Sequence, residues 1–540
     1  MTRTDSTAIV GGPRSPLGYW ELAAGPGEPH RPRPELSPAG RNAISDAVRP
    51  LLTVAHLSDL HLCDSQSPAR GEFLDRWSDH DSPLRPLVGH IGSYRAQDCL
   101  TVQVAAAMVE AINEVRRGPI GGAEIDWAII TGDVVDSAQT NELGWYIGLL
   151  DGGRVVPDSG SPARYEGVAD SDFWHEAFWH PDAAFCPDGT ARPDRPRRVY
   201  GFPDAPGLLD AVRQPFHAPG LTMPWLAVHG NHDQLVQGNI PAVGPFAEAA
   251  MSDRKAIDVP AHWSQQQIAE FCRAVDSTQQ SGLDSWSDML TRPVTADPFR
   301  RTITRTEFVA AHFNPRARPR GHGLSDPQSA KAYYRYDHCE VTVLVLDAVN
   351  EHGGWQGSLD APQLAWLESE LTDADRERRY VVLASHHTLA DLVNDRTTAG
   401  APRRVLTREV ADTLDQHRSL VLWLNGHTHI TGITPHRGYS GSGSWWEVTT
   451  PSLIDFPQQS RIVEMLKSAN GELTIALTMI DHCGGLPWSG RLDSVTDLAG
   501  LSRQLAANDW QYRPDDLAAH PLVGTAMDRN VLLHLADPWA

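Results

Sequence analysis

The stretch Ile129-Ile130-Thr131-Gly132-Asp133-Val134-Val135-Asp136 is an apolar run that stops abruptly at Gly-Asp. Short apolar, β-branched runs that end at glycine and polar residues are typical of buried strands. Four other apolar runs end in the same way, at Ser58-Asp59-Leu60-His61, His229-Gly230-Asn231-His232-Asp233, Ser385-His386-His387 and Asn425-Gly426-His427-Thr428-His429. In α/β sheets, ligands bind beyond the carboxyl ends of the strands. We therefore predict an α/β protein in which five strand ends deliver Asp, Asn and His to one site.

The composition argues against several classes of protein. The 540-residue chain carries 46 Lys and Arg against 68 Asp and Glu, a net charge of −22, so we expect neither nucleic acid nor an anionic membrane as a general partner. No segment approaches the roughly 18 consecutive apolar residues of a membrane span. The six cysteines form no C-x-x-C pair, which argues against a zinc ribbon or a dense disulfide framework and favours reduced thiols.

The N-terminal sequence lacks both an apolar h-region and a twin arginine. Export signals of the common kinds need one or the other. For the sequence as written we therefore predict a cytoplasmic location, unless a leader has been trimmed.

The chain divides into a central domain with long inserts and two terminal segments. Residues 1–49 are rich in Pro, Gly and Arg and indicate an extended N-terminal arm, residues 50–480 carry all five motifs, and residues 481–540 indicate a helix-containing tail. Two long intervals, about 151–222 and 239–330, flank the Asn231-His232 turn, so we expect them to roof the site. Apolar residues at i, i+3 and i+4 predict an amphipathic helix over 98–117.

The five strand ends together supply the pattern D-x-H, G-D-x-x-D, G-N-H-D, S-H-H and G-H-x-H. Imidazole, carboxylate and amide oxygen suit Mn, Fe, Zn or Co, and the absence of cysteine argues against a closed structural zinc site. Seven candidate ligands are more than one ion usually takes from a protein. Two ions about 3.5–4 Å apart would use them all and form the clamp that in-line attack on phosphorus requires.

These motifs resemble the calcineurin-like metallophosphoesterase superfamily, and more narrowly an uncharacterised bacterial branch in which long inserts separate the motifs and many members carry a twin-arginine leader. The resemblance covers about residues 50–480 and implies a four-layer α/β/β/α sandwich of two mixed sheets with long inserts. Position by position, it assigns Asp59, His61, Asp133 and His429 to metal 1, and Asp133, Asn231, His386 and His427 to metal 2. His386 is assigned over His387 because the family usually uses the first residue of that pair.

The same resemblance implies a catalytic pair. His232 matches the general-acid histidine of the family, and Asp136 stands where related phosphatases place its carboxylate partner. Two divalent ions with two carboxylates and a bridging hydroxide would leave about +1 to attract a phosphate. The bridging hydroxide would attack phosphorus, and His232, held as an imidazolium by Asp136, would protonate the leaving alkoxide.

Departures from better-known relatives narrow the choice of activity. Purple acid phosphatases have Tyr at the position of Asp136, so we expect no ferric-tyrosinate chromophore. Serine/threonine protein phosphatases have Arg-Gly where this chain has Ser137-Ala138, which argues against protein dephosphorylation. A phosphate anchor must then come from elsewhere. The candidate anchors are Arg70, His387, His90 and Arg95, and the candidate acceptors for the ligand histidines are Asp64 and Asp347.

The sequence therefore predicts a metal-dependent phosphoric ester hydrolase with a small phosphoester substrate, and a phosphodiester is favoured by fold-level analogy. One alternative is a phosphomonoesterase acting on a nucleotide, a sugar phosphate or a secondary metabolite. Another is a metal-stabilised binding protein without turnover, against which the intact His232 and Asp136 argue. The native metals and the oligomeric state stay open. The aromatic residues of 173–179 are interpreted as insert core, and the arginines of 316–320 as a solvated loop.

Overall fold

The computed structural model of the chain contains two large mixed β-sheets and several two-stranded ribbons. It describes residues 2–37, 48–89, 91–170, 172–182, 193–279, 282, 284–438, 443–469 and 471–540. In chain order the strands are β1 (Thr7–Arg14), β2 (Trp20–Pro26), β3 (Arg31–Leu36), β4 (Val48–Leu57), β5 (Trp127–Ile130), β6 (Gly153–Val155), β7 (Phe216–Ala218), β8 (Trp225–Ala227), β9 (Leu235–Val236), β10 (Ile240–Pro241), β11 (Arg254–Asp258), β12 (Leu290–Pro293), β13 (Tyr334–His338), β14 (Val341–Val345), β15 (Leu359–Asp360), β16 (Tyr380–Ala384), β17 (Arg404–Val405), β18 (Leu420–Asn425), β19 (Gly432–Arg437), β20 (Ser444–Thr449), β21 (Gln459–Ser468), β22 (Glu472–Asp481) and β23 (Val531–Ala536).

The first large sheet has seven strands in the order β3-β23-β22-β21-β4-β5-β8, and the second has six in the order β13-β14-β16-β18-β20-β19. In the first sheet β4, β5 and β8 run parallel, with Val54 opposite Trp127 and Ala128 opposite Trp225. In the second, β14, β16, β18 and β20 run parallel, while β13 and β19 pair antiparallel at the edges. The five strands predicted from the motifs are β4, β5, β8, β16 and β18, and each is present.

One apolar core is shared by both large sheets. It contains Val54 and Ile129 from the first sheet together with Val382 from the second. Val381 and Leu383, on either side of Val382, belong instead to a separate core with the helix Ala361–Glu377. Because neighbouring residues of a strand face opposite sides of the sheet, β16 is apolar on both faces, and its continuous Tyr-Val-Val-Leu-Ala sequence follows from that burial. The two mixed sheets agree with the predicted architecture, and their stacking into four layers stays a prediction.

The helices connect the parallel strands and cover the sheets. The predicted amphipathic segment forms a short 3-10 turn and then the helix Thr101–Val115, whose Met108 and Ile112 are fully buried. The helix Ala361–Glu377 begins at Asp360, whose carboxylate accepts a hydrogen bond from the Gln363 amide. The α-helices are Glu72–Asp75, Arg85–Val88, Thr101–Val115, Thr140–Leu150, Arg195–Tyr200, Leu208–Ala211, Gly244–Met251, Gln265–Asp276, Arg305–Ala311, Ala361–Glu377, Thr407–Leu414 and Val495–Ala506. Within the described part of the chain, no helix combines the length and the apolar character that crossing a membrane requires.

Both predicted inserts pack against the loop that follows β4. A satellite apolar core joins Phe73 and Tyr94 of that loop to Phe178 of the first insert and Trp286 of the second. Phe178 and Trp179 are almost fully buried, as expected of insert core. In the predicted basic loop, Arg316 and Arg318 donate hydrogen bonds to main-chain carbonyls, and the Arg320 guanidinium lies over the Phe313 ring.

The terminal segments are part of the first sheet. In the predicted arm, β1 and β2 form a hairpin and β3 pairs in parallel with β23 of the tail. Residues 38–47 lie outside the described residues. Cys63, Cys99, Cys272, Cys339 and Cys483 are free thiols, and Cys186 lies outside the described residues.

Candidate metal centre

The carboxyl ends of β4, β5 and β8 in one sheet meet those of β16 and β18 in the other. Main-chain hydrogen bonds fix the first contact, because the Asp59 and His61 amides donate to the carbonyls of Gly132 and Asp133 at 3.1 and 2.9 Å. The His386 Nδ1 donates across to the Thr131 carbonyl at 2.8 Å, which joins the two sheets at the site. The structure thus brings together side chains from all five predicted strand ends. We call the seven predicted metal ligands the strand-end cluster: Asp59, His61, Asp133, Asn231, His386, His427 and His429.

The backbone of the strand-end cluster is unusual. Five of its seven residues have a positive φ, between 43° and 68°. Asp and His adopt this region more often than most L-residues, yet it is sparsely populated for any residue with a Cβ, and residues held there are concentrated at functional sites. Gly132 (φ 86°) is needed for a further reason, since a Cβ there would lie 2.8 Å from the His386 Nδ1. The five residues with positive φ are Asp59, His61, Asp133, His427 and His429.

Asp133 is the centre of the cluster. Its Oδ2 lies 3.1 Å from His386 Nε2, 3.7 Å from His61 Nε2 and 3.9 Å from His232 Nε2. On one side, His61 Nε2 approaches His429 Nε2 to 3.0 Å, and His429 Nε2 lies 3.4 Å from Asp59 Oδ1. On the other side, His427 Nδ1 approaches His386 Nε2 to 3.1 Å. The groups that could hold a cation overlap at this centre, with Asp59, His61 and His429 in one, and Asp59, Asp133 and His386 in another.

Hydrogen bonds on the far side of three of these residues fix which atom faces the centre. His386 uses Nδ1 on the Thr131 carbonyl, and His429 uses Nδ1 on the Asp455 carboxylate at 2.6 Å, so both present Nε2 inward. Asn231 donates from Nδ2 to the Gly238 carbonyl at 2.9 Å. Its Oδ1 is buried and has no partner among the described residues. An amide oxygen buried without a donor is costly unless a cation or another ligand satisfies it.

These residues fit bound divalent cations. Inward-facing imidazole nitrogens lie 3.0–3.1 Å apart in pairs, and two lone pairs at that distance repel unless a proton or a cation lies between them. The carboxylates of Asp59 and Asp133 supply negative charge, and the outer hydrogen bonds are those that orient metal-binding histidines. The structure therefore shows His and Asp clusters compatible with a metal site.

The carboxylates stay ionised and hold protons on their neighbours. Burial opposes ionisation of Asp133, but His386 and His232 outweigh it and lower the pKa of Asp133 well below its ordinary range. Burial likewise disfavours charged His386 and His429. The nearby carboxylates prevail, so the pKa of His386 rises to about 9 through Asp133, and that of His429 to about 10 through Asp455 and Asp59. The protein's own charges thus favour cations at both positions.

The predicted catalytic pair is arranged differently from the expectation. His232 Nδ1 bonds the main-chain carbonyl of Asp136 at 2.7 Å, while the nearer Asp136 carboxylate oxygen lies 3.8 Å away. That carboxylate is hydrogen-bonded to the buried guanidinium of Arg70 and lies 3.5 Å from His61 Nδ1. Burial lowers the pKa of His232 to about 4, although Asp133 acts in the opposite direction. The free His232 ring is neutral at pH 7, with Nδ1 protonated and Nε2 facing Asp133.

Two of the predicted phosphate anchors are engaged elsewhere. Arg70 lies in a buried set of ion pairs that we call the Arg70 network: Arg70, Glu72, Asp98, Asp136 and Lys255. Arg95 pairs with Asp455 through both Nε and Nη2. His387 donates from Nε2 to the Trp355 carbonyl at 3.0 Å, and its buried Nδ1 has no partner among the described residues. His90 lies outside the described residues.

The acceptors proposed for the ligand histidines also differ. Asp64 pairs with Arg300, and Asp347 pairs with His229 and Arg305, so neither contacts the strand-end cluster. The acceptor is Asp455, which the sequence reasoning missed. A signal was present, because Asp455 follows the end of β20 by a few residues, as the predicted ligands follow theirs.

The border of the site includes the start of the second insert. Gly238 (φ 67°) approaches so closely that a Cβ there would lie 2.2 Å from His232 Cδ2 and 2.5 Å from Asn231 Nδ2. The Trp355 ring lies beside His427, with ring centroids 5.8 Å apart. That the two inserts cover the whole site stays a prediction.

Comparison with known proteins gives limited similarity. No family model matches the chain, and no curated protein matches it. Among solved structures, it is similar to a dimetal phosphatase from Danio rerio, with 12% identity and a TM-score of 0.36 over 80% of this chain and 100% of that chain. It is also similar to GAP50, the anchor in the inner membrane complex of Plasmodium, with 9% identity and a TM-score of 0.27 over 79% of this chain and 84% of that chain. TM-scores this low do not establish a shared fold.

Proposed function

We propose that this chain is a dinuclear metal-dependent phosphoesterase of the calcineurin-like type, which hydrolyses a phosphodiester or another small phosphoester. The observation that carries the proposal is the convergence of His61 and His386 on Asp133 and of His429 on His61 and Asp59. The outer nitrogens of His386 and His429 are already bonded. A buried set of imidazoles and carboxylates that face one another is a donor set that divalent cations bind. It suits cations shared by one carboxylate.

Two sets of residues would hold the ions. Asp59, His61 and His429 form one, Asn231, His386 and His427 form the other, and Asp133 lies between them. When bound, such ions would polarise the phosphoryl oxygens and would lower the pKa of a bound water to near neutral. His387, with its unpartnered Nδ1 beside His427, is a further candidate for contact with the phosphate.

His232 is the group that we propose for proton transfer to the leaving alcohol. Its side chain is 18% exposed, whereas His61 and His386 are at most 3% exposed, so it is accessible to substrate. Because Nδ1 is bonded to the Asp136 carbonyl, Nε2 is the nitrogen that must take up a proton from water and then give it to the leaving alcohol. Arg70 holds the Asp136 carboxylate and so acts as a positioning residue for that segment.

The ion pairs made by Arg70 and Arg95 favour a phosphodiester substrate over a phosphomonoester. A monoester dianion gains from a guanidinium in addition to the metals. Arg70 and Arg95 are each paired with carboxylates instead. A phosphomonoesterase on a nucleotide, a sugar phosphate or a secondary metabolite is the second candidate, supported by the free Nδ1 of His387.

The test is hydrolysis of bis-p-nitrophenyl phosphate and p-nitrophenyl phosphate by metal-stripped protein reloaded with Mn, Zn, Fe or Co. We expect metal-dependent turnover of the diester, and loss of more than about 10³-fold in Asp133→Asn, because the central carboxylate is removed. Asp337→Asn, at an exposed position on β13, is the control and keeps full activity. Preference for the monoester would favour the second candidate. Two tightly bound metals with no turnover of either ester would favour the non-catalytic binding protein.

A further inference from the structure

Trp355 exposes a large aromatic surface beside the strand-end cluster. Its side chain is 46% exposed, and its ring is stacked near the His427 imidazole at an interplanar angle of 25°. All 17 tryptophans lie in the described part of the chain, and Trp355 is the only one of them that is exposed. An exposed indole beside a polar site offers a flat aromatic surface on which a ligand can stack.

The indole is held in place by its loop. Asn394, which is buried, donates from Nδ2 to the carbonyls of Gly353 and Gln356, at 3.0 and 2.9 Å, on either side of Trp355. The Gly354 amide donates to the Asn239 carbonyl at 2.9 Å, and the Trp355 carbonyl accepts from His387. A rigid aromatic surface loses little conformational entropy when a ligand stacks on it, so this loop is suited to binding.

Trp355 and His232 contact different imidazoles of the groups around Asp133. On one side the His232 ring contacts His61, with centroids 4.4 Å apart. On the other side the His386 ring contacts His427 at 5.0 Å, and His427 contacts Trp355. A phosphorus centre bound near Asp133 would then have one substituent nearer His232 and a second nearer Trp355. The substituent near the proton-transfer group is the leaving alcohol, and the one near Trp355 is retained.

Resting on the proposed phosphoesterase function, we propose that Trp355 is a specificity-determining residue that selects phosphodiesters whose retained alcohol carries a planar aromatic group, such as a nucleobase. Stacking of a base on an aromatic side chain tolerates different bases, because every base presents a π-face, and it strengthens binding by about tenfold or more. The net charge of −22 disfavours long polyanions, so the substrate is a small diester and not a nucleic-acid polymer.

The experiment compares two diesters with the same leaving group on the metal-loaded protein: thymidine 5′-(p-nitrophenyl phosphate) and methyl p-nitrophenyl phosphate. We expect kcat/KM for the thymidine ester to exceed that for the methyl ester by about tenfold or more, and this ratio to fall by about tenfold in Trp355→Ala. Trp355→Phe keeps most of the ratio. The matched control is Trp366→Ala, on the helix Ala361–Glu377 beside Tyr333, which leaves the ratio unchanged.

A ratio that is the same in the wild type and in Trp355→Ala overturns the proposal, because the indole then acts only by supporting His427. Calorimetry of thymidine 5′-phosphate and methyl phosphate on the same metal-loaded proteins separates this result from failure of the proposed function. If neither ester is hydrolysed but thymidine 5′-phosphate binds about tenfold tighter in a Trp355-dependent way, the stacking surface stands and the hydrolase proposal fails. If the nucleotide shows no such preference, the stacking surface fails regardless of turnover.

Discussion

The strand-end cluster and the Arg70 network meet at Asp136, and both bury several charged or titratable groups. In the Arg70 network every charge has an opposite partner, for example Lys255 with Glu72 at 3.1 Å and Arg70 with Asp98 at 2.7 Å. In the strand-end cluster, imidazole nitrogens face one another and the Asn231 Oδ1 has no partner among the described residues. Paired buried charges are satisfied by the protein itself, whereas unpaired buried lone pairs indicate a group that the protein binds. This difference separates residues that support the site from residues that form it.

In the candidate metal site, we expect the greatest loss of activity from His232→Ala. Loss of the proton-transfer group should lower kcat by about 10²–10⁴-fold for alkyl leaving groups. The loss should be much smaller for p-nitrophenol, which leaves without protonation. Metal content and the urea midpoint should stay at wild-type values. An equal loss for both leaving groups would contradict the proposed role of His232.

Lys255→Met tests the Arg70 network, whose charges are paired within the protein. Lys255 is fully buried and also donates to the Ser67 carbonyl at 2.6 Å, so its removal leaves Glu72 with Arg70 alone. We expect a loss of about 3 kcal/mol in the free energy of unfolding, measured by urea denaturation, with metal content unchanged. Arg49→Met, which breaks an exposed pair with Glu340, is the control and should show no measurable change. Loss of bound metal in Lys255→Met would show that the two regions are not separable.

Asp455→Asn tests a residue that connects the two types of environment, since Asp455 pairs with Arg95 and also orients His429. The neutral amide should orient His429 less well, and metal affinity should fall by about 10–100-fold in competition with a chelator. Asp455→Glu should restore part of that affinity. If Asp455→Asn binds metal as the wild type does, Asp455 serves only the ion pair with Arg95.

The smallest expected effect concerns the pH dependence of a paired charge outside both regions. Burial opposes ionisation of Asp64, but Arg300 and hydrogen bonds from Ser159 and Asn141 outweigh it and lower the pKa of Asp64. A carboxyl whose folded pKa is lowered stabilises the fold above its unfolded pKa of about 3.9, and this contribution is lost as the pH falls through the folded pKa. The difference in urea midpoint between the wild type and Asp64→Asn should therefore be largest near pH 7 and shrink below about pH 4. A difference that grows on acidification would contradict this assignment.

The strands that carry the site, and the polar side chains that follow them, could be predicted from local sequence. A buried strand needs a short apolar run, and its end needs glycine and polar residues, so Leu57, Ile130 and Asn425 could be predicted as strand ends within one residue. The helix predicted over 98–117 was found at Thr101–Val115 for the same reason, because its apolar spacing is local.

Which side chains contact one another depends on tertiary packing. Asp136 was predicted to hold His232, yet its carboxylate bonds Arg70, which is 66 residues away in the sequence. The partner of His429 is Asp455, and five of the predicted ligands have positive φ values that the local sequence did not indicate. Strand propensity is a property of neighbouring residues, whereas the partner of a buried charge depends on chain segments that only folding brings within hydrogen-bond distance. Hence the residue types of the candidate ligands follow from the sequence, and the fold sets which of their atoms face the centre.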